Sequence, residues 1–219
     1  MEKYRQVGEF EYYHDTENSD QSMKEIMEDV FNSLYGRGCW EPMTEEIMKQ
    51  NIKEGDIVVD IGASIGYFTL LMAKLVGSTG KVISIEPTKN QFEYLLKNIE
   101  KNGFNDRVTA VNTAASDVNG TMQVQVNALA DKISPCSIID EILPERVDFI
   151  KMDIDGSEPR AIKGLIETIK RNPQLKMMVE YLVHGMKDLH NEPQQLIDVL
   201  DKYFTYTIKD NYNLFCVRK

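Results

Sequence analysis

The sequence lacks any apolar run of membrane-spanning length, any apolar stretch of secretory type behind Met1, and any cysteine pair at metal-ligand spacing. A cytoplasmic protein with no membrane partner is the expectation. Its three cysteines, Cys39, Cys136 and Cys216, are far apart and odd in number, and none sits in a nucleophile context. They read as reduced thiols. Basic charge is also short. The net charge is −10, and residues 1–50 carry 12 acidic against 5 basic side chains, where the other 169 carry 23 against 20. Phosphate backbones need a basic face, so nucleic acid is disfavoured as the main partner. What remains is a 219-residue chain, 42% hydrophobic and 27% charged, which suits one α/β domain with a sizeable core.

The chain is organised around residues 56–71. Ile57, Val58, Val59 and Ile61 are a short β-branched run of the kind buried on both faces of a sheet. Gly62 and Gly66 bracket a turn, and Phe68, Leu71, Met72 and Leu75 recur behind it at helical spacing. Such a turn brings backbone N–H groups and a helix N-terminus close to a ligand, or serves packing alone. Residues 1–20 are polar without a clear period and read as an arm or partly ordered segment. Asp20 or Ser22 can cap an amphipathic helix carrying Met23, Ile26, Met27, Val30, Phe31 and Leu34, with Gly36 and Gly38 to end it. A second short helix spans Pro42 to Gln50. Residues 1–50 are thus an N-terminal helical extension, a lid or a packing layer, ahead of a domain over 51–219.

Beyond the glycine turn, strands are expected at Lys81–Ile85, Val108–Val111 and Thr121–Val126. A helix carries Phe92, Leu95, Leu96 and Ile99. Residues 128–147 read as a mixed loop with one helical turn near Ile138 to Leu143. Asp148 to Gly156 is a strand running into acids. Ser157 can cap a helix lined by Ile162, Leu165, Ile166 and Ile169. Leu175 to Val183 is a strand containing Glu180, Pro193 opens a helix, and Phe204–Lys209 with Asn213–Val217 form a closing hairpin around Asp210 and Asn211. The fold class is α/β: a doubly wound, mostly parallel Rossmann-like sheet with a C-terminal antiparallel hairpin. Ligands bind such sheets at the carboxyl ends of the strands.

Glu86 ends the strand after the glycine turn, 20 residues beyond Gly66. An acid there can accept both hydrogen bonds of a ribose diol. The turn itself lacks the middle glycine of a dinucleotide site, and Asp60 before it would repel a pyrophosphate. Asp60 suits the ammonium of an amino acid. S-adenosylmethionine has that ammonium, a ribose and no phosphate; a nicotinamide dinucleotide fits poorly.

The run Val59 to Thr69 resembles motif I of class I S-adenosylmethionine-dependent methyltransferases, and more narrowly the FkbM family. Glu86-Pro87, the block Ile150-Lys151-Met152-Asp153-Ile154-Asp155-Gly156-Ser157-Glu158 and Glu180 match that family as a set, across about residues 38–183. Ser64 stands where many methyltransferases carry Gly and many FkbM members Asn. The resemblance implies that Asp60, Gly62, Ala63, Ser64 and Gly66 hold the methionine end, and that Glu86 and Pro87 meet the ribose. It also puts Ala115, Ser116 and Asp117 by the adenine, unless they form an ordinary turn. Trp40-Glu41-Pro42 resembles a segment that covers the cofactor in relatives. The family methylates hydroxyls of sugars, polyketides and other natural products, so a small-molecule or glycan acceptor is implied.

For transfer, Asp153 and Asp155 lie two apart and are expected on one face of a strand, with Glu180 next door and His184 after it. One acid or His184 can act as general base, with Asp153 also at the cofactor's edge. Alternatively Asp153 and Glu180 hold a divalent cation; two carboxylates are too few to assign one, so no metal is assigned. His184, Asp155 and Glu158 can equally be surface or helix-terminal polar groups. No Asn-Pro-Pro-Tyr-type block follows the fourth strand, which argues against methylation of a base amine. An RNA or protein methyltransferase, or a non-catalytic S-adenosylmethionine-binding protein, are the alternatives. The sequence sets no oligomeric state.

Overall fold

The computed structural model describes residues 4–15, 19, 21–37, 39–126, 130–210 and 212–219. Asp20, Gly38 and Asn211, expected at a helix start, a helix end and a turn, lie outside them. So do the side chains of Ser22 and Leu34.

A hairpin of β1 (Tyr4–Val7) and β2 (Phe10–Tyr13) precedes α1 (Gln21–Arg37) and α2 (Pro42–Asn51). Then come β3 (Ile57–Ile61), α3 (Tyr67–Leu75), β4 (Lys81–Ile85), α4 (Lys89–Lys101) and β5 (Val108–Val111). Three strands follow, β6 (Ala114–Ser116), β7 (Gly120–Val126) and β8 (Ala130–Ile138), leading to α5 (Ile139–Ile142). The chain ends with β9 (Phe149–Met152), α6 (Glu158–Lys163), α7 (Ile166–Arg171), β10 (Lys176–Glu180), α8 (Val183–Asp188), α9 (Pro193–Tyr203), β11 (Phe204–Ile208) and β12 (Asn213–Arg218).

The main sheet has the order β11-β12-β10-β9-β3-β4-β5. β10, β9, β3, β4 and β5 pair in parallel, and β12 runs antiparallel to both its neighbours. The expected single antiparallel member is therefore present. Alternate residues of each central strand feed opposite cores, as a two-sided pleat requires. Val59, Ile61, Ile150, Met152, Met177 and Val179 join one cluster with residues of α6, α7 and α9. Val58, Val82, Phe149 and Met178 face the other way, among residues of α2, α3 and α4.

Three regions depart from the reading of the sequence. Residues 4–13 form a hairpin, because Val7, Tyr12 and Tyr13 bury against Met27, Phe31, Leu70 and Tyr94 in a third cluster. Tertiary contact thus orders a segment whose composition looks disordered. Residues 130–138 form a strand, pairing with β6 and β7 as a small side sheet. The helix expected after Ser157 is broken in two, α6 and α7, around Gly164 and Leu165. Glycine is required at the break: a Cβ on Gly164 would stand 1.9 Å from the Ser116 carbonyl oxygen. Here the helical layer touches β6 with no room for a side chain.

Gly164→Ala should therefore force that layer outward. A loss of about 1–3 kcal/mol is expected, as for other overpacked sites, read as a lower urea midpoint with an unchanged slope.

Candidate active site

β3 and β9 are neighbours, and the loops beyond them meet at the carboxyl edge of the sheet. Gly62 follows β3 with φ 85°, and a Cβ there would stand 1.8 Å from the Asp153 carbonyl oxygen. Only glycine permits that approach. Gly62 and Ala63 donate their N–H groups to the Ile85 carbonyl at 3.0 Å. Ser64 takes the left-handed conformation at φ 50°. That explains why Gly, Asn or a small polar residue suits the position.

Glu86 locks this turn. It is 3% exposed. One carboxylate oxygen accepts from Ser64 N–H at 2.9 Å and the other from Thr88 N–H at 2.7 Å. Burial pushes its pKa up to about 7 against the pull of those donors. Each oxygen keeps a further lone pair.

The turn, the ends of β4, β9 and β10, and residues of α1 enclose a cavity of about 300 Å³. This lies at the lower end for small-molecule sites. Its wall carries Glu41, Asp153, Asp155 and Glu180 together with Lys151. Asp153 accepts from the Lys151 ammonium at 3.0 Å. Burial pushes Asp155 up to about 6, reinforced by Asp153. Glu180 is driven far above the usual carboxylate range by burial and by Asp153, Glu158 and Asp155, and its Oε2 has no partner among the described residues. Glu41 is raised by burial, accepts from Thr44 at 2.9 Å, and sits at φ 41° before α2.

Of the residues expected in the site, Glu41, Gly62, Ala63, Ser64, Glu86, Pro87, Asp153, Asp155 and Glu180 line the cavity. Others do not. Asp60 lies on the opposite pleat face from Ile61, under α3, where Thr69 donates to it at 2.6 Å and Lys151 stands 4.0 Å away. It is wholly buried and does not reach the wall. Gly66 caps α3, its missing Cβ leaving room for Leu95. Ser116 and Asp117 turn toward α6, where Asp117 pairs with Arg160 at 3.3 Å, so Ala114 and Ala115 face the cavity instead. His184 is exposed on α8, a short helix that starts at Val183, where the sequence reading ended a strand and expected no helix before Pro193. Asp153 and Asp155 share the wall, but not as members of a strand. β9 ends at Met152 and Asp155 is left-handed at φ 52°. Ser157 precedes α6 without a side-chain cap bond; its buried Oγ lies on the cavity wall without a partner among the described residues.

Sequence reasoning missed Lys151, Thr88, Gln91, Ile26 and Val30 as wall residues. A signal for Lys151 was present: a lysine inside an apolar strand, two residues before an acid. Nothing in α1 distinguishes cavity-facing from core-facing residues. Among the described residues, no three His, Cys, Asp or Glu side chains are grouped to hold a metal ion. No described helix is long and apolar enough to cross a membrane.

The residues present fit S-adenosylmethionine. A double-acceptor glutamate and an acid-rich wall with an unpartnered Glu180 oxygen suit a ribose and a cationic methionine end.

Comparison with known proteins agrees. The methyltransferase FkbM domain family matches residues 60–207. A protein-L-isoaspartate O-methyltransferase of Methanococcoides burtonii is 30% identical over 93 residues, 42% of this chain and 43% of its own. A 23S rRNA (uracil(1939)-C(5))-methyltransferase of Legionella pneumophila is 30% identical over 122 residues, 55% of this chain and 25% of its own. The chain spans about half or less of the curated relatives it matches. An O-methyltransferase from Bacillus cereus, solved with S-adenosylhomocysteine, superposes with TM-score 0.55 at 18% identity, covering 93% of both chains.

Glu158, wholly buried below this wall, offers a test of its electrostatics. It accepts from Ile154 N–H at 2.9 Å, and burial pushes it up to about 8. Below its ordinary value of 4.5 it is protonated folded or unfolded. Between 4.5 and about 8 only the folded form keeps the proton, so stability falls as pH rises through that window. Glu158→Gln removes this dependence. The variant should gain on the parent protein between about pH 5 and pH 8.5 in urea titrations, by up to a few kcal/mol.

Proposed function

The chain belongs to the FkbM methyltransferase family, and from that premise we propose that it methylates a hydroxyl group of a sugar or small natural product with S-adenosylmethionine. The observation that carries the reading is Asp155: a cavity-wall carboxyl with a pKa near 6, in the same cavity as the Glu86 turn. A general base is most effective when its pKa lies near the working pH.

Bound there, S-adenosylmethionine supplies an electrophilic methyl group on a sulfonium. Glu86 accepts from the ribose hydroxyls with the lone pairs that Ser64 and Thr88 leave free. The N–H groups of Gly62, Ala63, Ser64 and Gly66 are spent on Ile85, Glu86 and Ala63, so the acid-rich wall is what compensates the positive charge of the amino-acid end. Asp155 takes the proton of the acceptor hydroxyl as its oxygen attacks. Lys151 fixes Asp153 alongside. His184, exposed on α8, has no part in this reading. A phosphodiester chain such as RNA would meet Glu41, Asp153, Asp155 and Glu180 at the wall, which disfavours it as acceptor.

Calorimetric titration with S-adenosylmethionine, S-adenosylhomocysteine and NAD tests the cofactor. The two adenosyl ligands should bind and NAD should not; binding of NAD alone would sink the reading. Glu86→Gln replaces one acceptor oxygen with a donor facing Ser64 or Thr88 N–H. It should weaken both adenosyl ligands about tenfold or more. For the acceptor, release of S-adenosylhomocysteine is followed across hydroxylated sugars, small natural products, peptides and RNA. With an active acceptor, Asp155→Asn should cut kcat at least about a hundredfold while cofactor affinity stays within about threefold. The parent's kcat should rise with pH to a midpoint at or below about 6, the value of Asp155 before the cationic cofactor binds. Transfer to peptide or RNA alone would refute the hydroxyl assignment.

A further inference from the structure

Asn98 of α4 and Asn102, which caps the end of that helix, dock the N-terminal hairpin, and they do so differently. Asn102 pairs with the backbone of Glu11 as a neighbouring strand would. Its Oδ1 accepts from Glu11 N–H at 3.0 Å, and its Nδ2 donates to the Glu11 carbonyl at 2.8 Å. Asn98, one turn earlier and wholly buried, divides its amide. Its Oδ1 accepts from Tyr13 N–H at 2.6 Å, and its Nδ2 donates to the Ile65 carbonyl at 2.7 Å. Tyr13 belongs to the extension, and Ile65 to the glycine turn.

A buried amide side chain costs stability unless both ends are paired. Apolar packing alone already holds the extension down, since Val7, Tyr12, Met27 and Phe31 bury with Ile65 and Leu70. What Asn98 adds is direction: it fixes the extension and the turn to one another. Two residues of that extension, Ile26 and Val30 on α1, form part of the cavity wall.

We propose that Asn98 is a positioning residue for the adenosyl cofactor, joining the N-terminal extension to the 62–66 turn so that both walls of the cavity form one unit. The inference rests on the cofactor reading above. Without Asn98 the extension stays docked through Asn102 and its apolar face, but the turn loses its hydrogen-bonded link to the hairpin. The cofactor must then order both walls itself, and affinity falls.

Asn102 supplies the control, since Asn102→Ala loosens the same hairpin without touching the turn. Each variant is titrated with S-adenosylhomocysteine by calorimetry and unfolded in urea. Asn98→Ala should bind about tenfold more weakly than the parent protein. Asn102→Ala should bind within about twofold, with a comparable loss of stability. Equal affinity in both variants, or an equal loss in both, overturns the proposal. Should Asn98→Ala fail to fold, hydrogen exchange of the parent protein decides. S-adenosylhomocysteine should slow the Tyr13 and Gly66 amides together; slowing at Gly66 with Tyr13 unchanged overturns it. A parent protein that does not bind S-adenosylhomocysteine removes the cofactor reading and this inference with it. A parent that binds, with variants that do not differ, removes this inference alone.

Discussion

The structure depends on how a lysine ammonium is kept charged inside a sheet. Lys151 is 4% exposed, in the middle of β9. Register sets it beside Asp60 of β3, and Asp60 in turn beside Ser84 of β4. These three face the layer that holds α3, where Thr69 donates to Asp60 and the Phe68 ring lies 4.9 Å from the ammonium. Burial alone would lower the Lys151 pKa, but Asp153, Asp60 and Glu41 outweigh it and hold the ammonium well above its ordinary value. A buried ion pair seldom repays its desolvation as stability. Its value here is geometric. One cation draws together carboxylates from β3, from the loop after β9 and from the segment before α2, and these segments build one side of the cavity.

Asp60 therefore works at one remove. Its position in motif I suggests a ligand contact, yet its side chain goes to Thr69 and Lys151. Periodicity contains the reason. In a strand buried on both faces, Ile61 and Asp60 must point opposite ways, and Ile61 faces the cavity. The residue that does reach the wall from this row is Lys151. Sequence reading passed over it because a lysine in a strand looks like an exception rather than a partner.

The parallel sheet, its single antiparallel member and the presence of the glycine turn and Glu86 on one cavity were legible because each leaves a local mark. Buried strands are β-branched runs, and the turn needs glycine where backbone from β9 crosses it. The hairpin at Tyr4–Tyr13, β8 and α8 left no such mark. Both faces of the hairpin mix aromatic and polar residues, Tyr4, Gln6, Glu11 and Tyr13 on one and Arg5, Val7, Phe10 and Tyr12 on the other, and its order comes from packing against α1 and α4. β8 carries Ser, Lys and Pro, and its order comes from pairing with β6 and β7. Ser116 and Asp117 were misplaced for a related reason. Chain position puts them after the third strand, but contact with Gly164 and Arg160 turns them toward α6. Residues held by neighbours distant in sequence are the ones a local pattern does not place.

The charge of the wall bears on the chemistry it suits. Besides Glu86, four carboxyl groups, Glu41, Asp153, Asp155 and Glu180, line the cavity with Lys151. Ionised together, they would repel one another strongly at low dielectric. The raised values of Glu41, Asp155 and Glu180 follow from burial and then from this repulsion, so protons relieve the wall when no cationic ligand is bound. A cationic ligand replaces those protons with its own charge. Binding such a ligand should then release protons, and it should lower the pKa of the carboxyl that serves as base. By the same argument a wall of this kind takes a neutral hydroxyl beside a cation more readily than a phosphate, because only the first leaves the charge balance intact.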